Sequence, residues 1–201
     1  PFIIANENHS NFGFSSSVKT VIKNCLEGEL NTGKLYKSLS RKATSLGIDV
    51  KYGVEVRSFK EEELYVSVVT TNDDVVFSTN KLVCCVNAFS KQFFPELDVQ
   101  PGRGIVLITE PIEDLPFKGI FHFDEGYYYF REVDGRVLFG GGRNLDKQTE
   151  TTLEFNINQV IYDDLRGKLQ DIILPGRRFE IDTVWSGIMA FGGSRFPILK
   201  R

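Results

Sequence analysis

Cysteine, histidine and any surplus of one charge are all scarce in this 201-residue chain. Three cysteines, an odd number with two adjacent, do not build a disulfide framework, so the expectation is a reducing, cytoplasmic setting. The two histidines, His9 and His122, stand far apart, and Cys84 and Cys85 point to opposite faces of an extended backbone. Neither arrangement has metal-ligand spacing. Lys and Arg total 24 against 27 Asp and Glu, a net charge of −3, which lacks the basic face of a nucleic-acid binder. No apolar run approaches the ~20 residues of a membrane-spanning helix, and the first ten residues lack the basic start of a signal peptide. There is no Gly-x-Ser-x-Gly elbow for a serine nucleophile. The chain opens on Pro1 and closes on Lys200-Arg201 directly after Phe196-Pro197-Ile198-Leu199. It therefore reads as a piece of a longer protein.

What is present is core material. Hydrophobic residues make up 41% and aromatics 12% of the chain, enough to fill an interior. Residues 11–17 read as loop and 18–26 as a strand. Asn31 or Thr32 caps a helix whose Leu35, Leu39, Ala43 and Leu46 share one face, and Gly47 ends it. Lys34, Lys37, Arg41 and Lys42 lie off that stripe as a solvated face. Residues 48–52 and 54–59 alternate as strands, 64–70 and 75–77 continue a meander across Asn72-Asp73-Asp74, and Leu82-Val83-Cys84-Cys85-Val86 reads as a strand buried on both faces. Both cysteines of that run are expected in the core.

The second half has a different character. Residues 105–109 and 120–123 read as strands, and Asp134-Gly135 between two β-rich runs predicts a hairpin of 127–131 with 136–139. A long helix is expected from Thr151 or Thr152 to Pro175-Gly176, burying Leu153, Ile157, Val160, Ile161, Leu165, Leu169 and Ile172. A last strand puts Phe179, Ile181, Thr183 and Trp185 on one face. Gly140-Gly141-Gly142 is either a bulge or sheet corner or a place where something packs closely against the strand end, and the sequence leaves both open. Tyr128 faces away from Tyr127 and Tyr129 in a strand. Tyr128 with Arg143 would suit a carboxylate, because a guanidinium grips that group with two parallel hydrogen bonds; structural roles for both residues stay open.

The order of segments resembles the central part of the D-amino-acid oxidase/glycine oxidase type of FAD-dependent oxidoreductases. The stretches that carry it are Glu27-Gly28-Glu29-Leu30-Asn31-Thr32-Gly33-Lys34-Leu35, the strands from Gly47-Ile48 to Val54-Glu55-Val56, Val83-Cys84-Cys85-Val86-Asn87-Ala88-Phe89-Ser90, Pro101-Gly102-Arg103-Gly104, and Tyr128 to Gly140-Gly141 followed by Trp185-Ser186-Gly187. The resemblance implies an α+β, α/β-derived fold. An incomplete FAD-binding domain (1–98) would precede a substrate domain of mixed or antiparallel sheet with a long helix (99–190), and 191–201 would start the return. It implies FAD as cofactor and oxidation of a small amine or amino acid by hydride transfer to flavin. Val56, Asn87 and Ala88 would meet the cofactor, and Tyr128 would sit in the substrate pocket. Met189 stands where the family often has a carboxylate-binding arginine, a role that would pass to Arg143. The family's Gly-x-Gly-x-x-Gly turn and closing glycine-rich segment are absent from these residues. The piece alone is therefore expected to bind FAD weakly, to be inactive, and to self-associate through exposed apolar surface. The alternative is a noncatalytic module whose aromatic sheet grips a ligand or protein partner.

Overall fold

The structure is a computed structural model that describes residues 2–5, 11–71, 75–194 and 196–199. The expected Asn72-Asp73-Asp74 turn, His9 and the closing Lys200-Arg201 lie outside the described residues. The elements in chain order are β1 (Phe2–Ile4), β2 (Ile22–Asn24), α1 (Thr32–Ser45), β3 (Val56–Glu61), β4 (Val66–Thr70), β5 (Val76–Thr79), β6 (Val99–Thr109), β7 (Ile120–Phe123), β8 (Tyr128–Val133), β9 (Arg136–Gly141), α2 (Gln159–Lys168) and β10 (Ile181–Gly192). Contacts divide them into two units. One comprises Pro1–Glu29, Asn87–Phe89 and Asp98–Arg201; the other comprises Leu30–Val86 and Ser90–Leu97. The fold is α+β with antiparallel sheets.

The smaller unit holds α1 and the antiparallel sheet β3-β4-β5. Asn31 caps α1 by accepting the Lys34 N–H at 2.9 Å, and Gly47 leaves the helix with φ +77°. The helix forms as its capping residues dictate, yet Leu35, Leu39 and Leu46 are exposed. Two expectations are corrected here. Residues 48–55 and 81–86 form no strand in the described structure, because no described segment offers them a ladder of backbone hydrogen bonds. The cysteines follow suit: Cys84 is half-buried and Cys85 exposed, neither in a core.

The larger unit is built on a five-stranded antiparallel sheet in the order β10-β6-β9-β8-β7. The hairpin β8–β9 turns at Asp134 (φ 51°) and Gly135 (φ 76°), the positive-φ pair that a two-residue turn requires. One face carries Ile105 and Leu107 of β6, Val137 and Phe139 of β9, and Tyr128 and Phe130 of β8. They form one buried cluster with Ile161 and Leu165 of α2 and with Leu169 and Ile173 beyond it. Phe12 and Phe14, from a stretch read only as loop, join Phe117, Phe121 and Phe130 in an aromatic cluster. The Phe121 and Phe130 rings stack at 4.8 Å. Such pairs add about 0.5–1.5 kcal/mol each beyond their buried area.

The helix is shorter than the sequence suggests. Asn158 caps it by accepting the Val160 N–H, so α2 begins at Gln159; it runs on into a π turn, Leu169–Ile173. Residues 151–158 stay irregular because the Glu154 carbonyl accepts from Arg103 (3.2 Å) rather than from a helical N–H. Val160 and Ile157 are consequently exposed. In β10 a bulge between Ile181 and Thr183 shifts the register against β6. The extra residue reverses the alternation, so Val184 packs on the core and Thr183 and Trp185 turn to the other face.

Tyr128 illustrates how tightly the inner face is closed. Its hydroxyl donates to Asp164 Oδ2 at 2.8 Å, Lys168 pairs with the same carboxylate and lies over the ring, and the residue is 1% exposed. Burial, reinforced by the hydrogen bond to Asp164, pushes its phenol well above the ordinary value of 10.0. A raised native pKa stabilises the fold fully below the unfolded value, and that stability drains away as pH climbs above it. Wild-type protein is therefore expected to lose stability more steeply than Tyr128→Phe above about pH 10, as read from urea midpoints measured across that range. Parallel alkaline slopes would contradict this.

Candidate active site

Residues directly opposite one another in an antiparallel sheet share a face. On the face turned away from α2, one cross-strand row therefore runs Trp185, Val106, Gly140, Tyr129, His122. The next row along β10 and β6 is Gly187 opposite Gly104, and the next is Met189 opposite Gly102. Two paired glycines thus expose bare backbone between the Trp185 and Met189 rows, which four residues of strand set ~13 Å apart. A Cβ on Gly187 would meet nothing within 4 Å, and one on Gly104 only the Met189 Cε at 3.1 Å. Trp185 and Met189 are 40% and 45% exposed, so the rims of this floor are accessible.

Each side of the floor has a polar residue. Tyr129 lays its ring over Gly140, where a Cβ would come within 2.6 Å of the hydroxyl; burial raises its phenol pKa. At the other end, Gly142 takes φ 75° and turns the chain out of β9, so that Arg143 begins a short 3₁₀ turn. The Arg143 guanidinium lies 4.5 Å from the centre of the Phe191 ring and donates to Thr151 Oγ1 at 3.3 Å. Its Nε is buried without a partner, against the notch left by Gly102.

The segment carrying Arg143 and Thr151 is fastened to β6 from below. Arg103, 4% exposed, forms a bidentate pair with the fully buried Glu150, Nε to Oε2 at 2.9 Å and NH2 to Oε1 at 2.6 Å. The Arg103 N–H also donates to the Glu150 carbonyl at 2.7 Å. Asn158 donates to Glu150 Oε1 and to Asp146 Oδ2, and its bond holds the Asp146 carboxyl below the usual carboxylate range.

The structure sets Arg143 Nε against Gly102, whose cross-strand partner is Met189. It places Tyr128 elsewhere, on the α2-facing side with its hydroxyl committed to Asp164; its neighbour Tyr129 occupies the accessible face. Val56 opens β3 in the smaller unit and is 39% exposed. Asn87 has φ 49° and starts a short 3₁₀ helix in which Ala88 is buried. Phe191 is not singled out by the sequence, and Tyr129, Trp185, Gly104 and Gly187 are named there without a place in the site. The strand alternation could have found Tyr129, since Phe130 marks the opposite face as apolar.

Residues 17–201 match the family described as DAO, FAD dependent oxidoreductase. The chain belongs to the DAO family of FAD-dependent oxidoreductases. No curated protein matches the sequence. Among solved structures, it is similar to L-proline dehydrogenase from P. horikoshii (17% identity, TM-score 0.76, covering 100% of this chain and 56% of that one). It is also similar to glycine oxidase from Geobacillus kaustophilus (16%, 0.78, 99% and 54%) and to L-amino acid deaminase from Proteus vulgaris (11%, 0.67, 96% and 57%). At these identities the likeness is one of fold. The chain spans a little over half the length of each of these structures.

The floor suits the planar end of the DAO family's cofactor. Paired glycines leave a surface without side chains, bounded by Trp185 and Met189, against which a flat ring system can lie. The nucleotide end has no such match, since none of the 201 residues forms a Gly-x-Gly-x-x-Gly turn for a pyrophosphate.

Proposed function

We propose that the protein containing this chain oxidises an amino acid or another carboxylate-bearing amine, with the Gly104–Gly187 floor as one wall of the reaction chamber. The observation that carries this reading is the Arg143 guanidinium standing at the end of that floor. FAD, when bound, supplies the hydride acceptor. The chain's own residues bind and orient. Arg143 takes the substrate carboxylate through its terminal nitrogens, because its Nε edge is closed by Gly102 and Phe191. The Tyr129 hydroxyl, kept protonated by burial, offers a hydrogen-bond donor at the other side. Trp185 and Met189 flank the floor along β10.

In the full-length enzyme, Arg143→Ala is expected to raise KM for an amino-acid substrate about 100-fold, or about 2.7 kcal/mol. Oxidation of a matching amine without a carboxylate should be unaffected. Equal KM values for wild type and variant would reject the assignment. The 201-residue chain by itself is expected to purify colourless, for want of a pyrophosphate turn; flavin absorbance in the purified chain would contradict that.

A further inference from the structure

We infer that Phe191 is a positioning residue that holds the Arg143 guanidinium in its substrate-binding orientation, with Gly102 as the notch that makes this possible. The inference rests on the reading of Arg143 as the carboxylate grip. An arginine at the start of a loop has many rotamers, and gripping a carboxylate selects one of them. Three contacts fix Arg143. Its guanidinium sits 4.5 Å from the Phe191 ring centre, within cation–π range. Its NH2 donates to Thr151 Oγ1, and that hydroxyl is itself oriented by donating to the Lys147 carbonyl at 2.8 Å. Its Nε lies where a side chain at position 102 would otherwise be: a Cβ there would come within 2.3 Å of Phe191 Cε2 and 2.9 Å of Arg143 Nε. The ring and the guanidinium therefore share one slot that only glycine leaves open.

The mount has a chemical consequence. With the Nε edge sealed and NH2 already donating to Thr151, the donors left for a carboxylate are those of the terminal nitrogens. A substrate carrying a carboxylate fits these donors.

The test uses the full-length enzyme and a nonreactive probe, propionate, with propionamide as its neutral control, titrated calorimetrically beside steady-state kinetics. Phe191→Leu is expected to weaken propionate binding and raise substrate KM about tenfold while kcat stays within about twofold. Phe191→Tyr, which keeps the aromatic face, should restore both. In an Arg143→Ala background, Phe191→Leu should add no further loss, because both changes remove the same interaction. Unchanged propionate affinity in Phe191→Leu, an equal loss for propionamide, or a full additional loss in the Arg143→Ala background would overturn the positioning role. If Arg143→Ala weakens binding and Phe191→Leu does not, only the positioning role falls. If Arg143→Ala is itself silent, the carboxylate grip falls and this inference with it.

Discussion

Glu150→Ala is expected to lower the stability of the larger unit by about 3–5 kcal/mol. Glu150 is fully buried and accepts both arms of the Arg103 guanidinium. Hydrogen bonds from that pairing, more than any other influence, hold the Arg103 pKa above its already high value, so the arginine keeps its charge in the interior. Deleting the carboxylate leaves that cation 4% exposed without its hydrogen-bonded counter-charge, with only the weaker pull of Glu154 and Asp146, and the loss is a large share of the roughly 5–15 kcal/mol that holds a domain together. The damage spreads, because Glu150 also orients Asn158, the cap of α2. Replacing both partners with apolar side chains, Arg103→Met with Glu150→Leu, removes the charge along with its counter-charge. That double variant should recover most of the loss. Urea midpoints of the two variants measure the difference. A loss below about 1 kcal/mol in Glu150→Ala would show that the pair is dispensable.

Gly104→Leu is expected to leave the fold standing and to abolish turnover. The backbone at 104 is ordinary strand, and a Cβ there meets only the mobile end of Met189, with an empty site at Gly187 across the ladder. The contrast is Gly141, where φ is +127° and a Cβ would stand 2.1 Å from the Tyr127 carbonyl oxygen; that glycine serves the turn out of β9. A leucine at 104 instead rises from the middle of the floor. Nothing planar can then lie within the ~3.5–4 Å of van der Waals contact. The expected cost is at least about 100-fold in kcat/KM, roughly 2.7 kcal/mol of transition-state stabilisation.

Local chemistry made much of this legible in sequence. Asn31 and Gly47 mark the ends of α1, and Asp134-Gly135 fixes the β8–β9 register from which both faces of the sheet follow. What stayed hidden depends on distant partners. The late start of α2 follows from Arg103 taking the Glu154 carbonyl, a contact across 51 positions. The bulge in β10 turns Trp185 outward, and no local signal announces it. The apolar run around Cys84 and Cys85 looks like a buried strand because hydrophobicity reports a preference for burial, while a strand needs a partner to pair with. At the site, Arg143 is legible as a carboxylate partner from its place after the hairpin, and Met189 only through the family resemblance. The Phe191 face and the Gly102 notch appear only when β6 and β10 are laid side by side.

The most direct measurement takes Gly104→Leu in the full-length flavoenzyme and records its thermal midpoint beside its kcat/KM for an amino-acid substrate. A wild-type midpoint with turnover reduced at least about 100-fold is the predicted result. A folded variant with wild-type turnover would show that the reaction takes place somewhere other than on this face of the sheet.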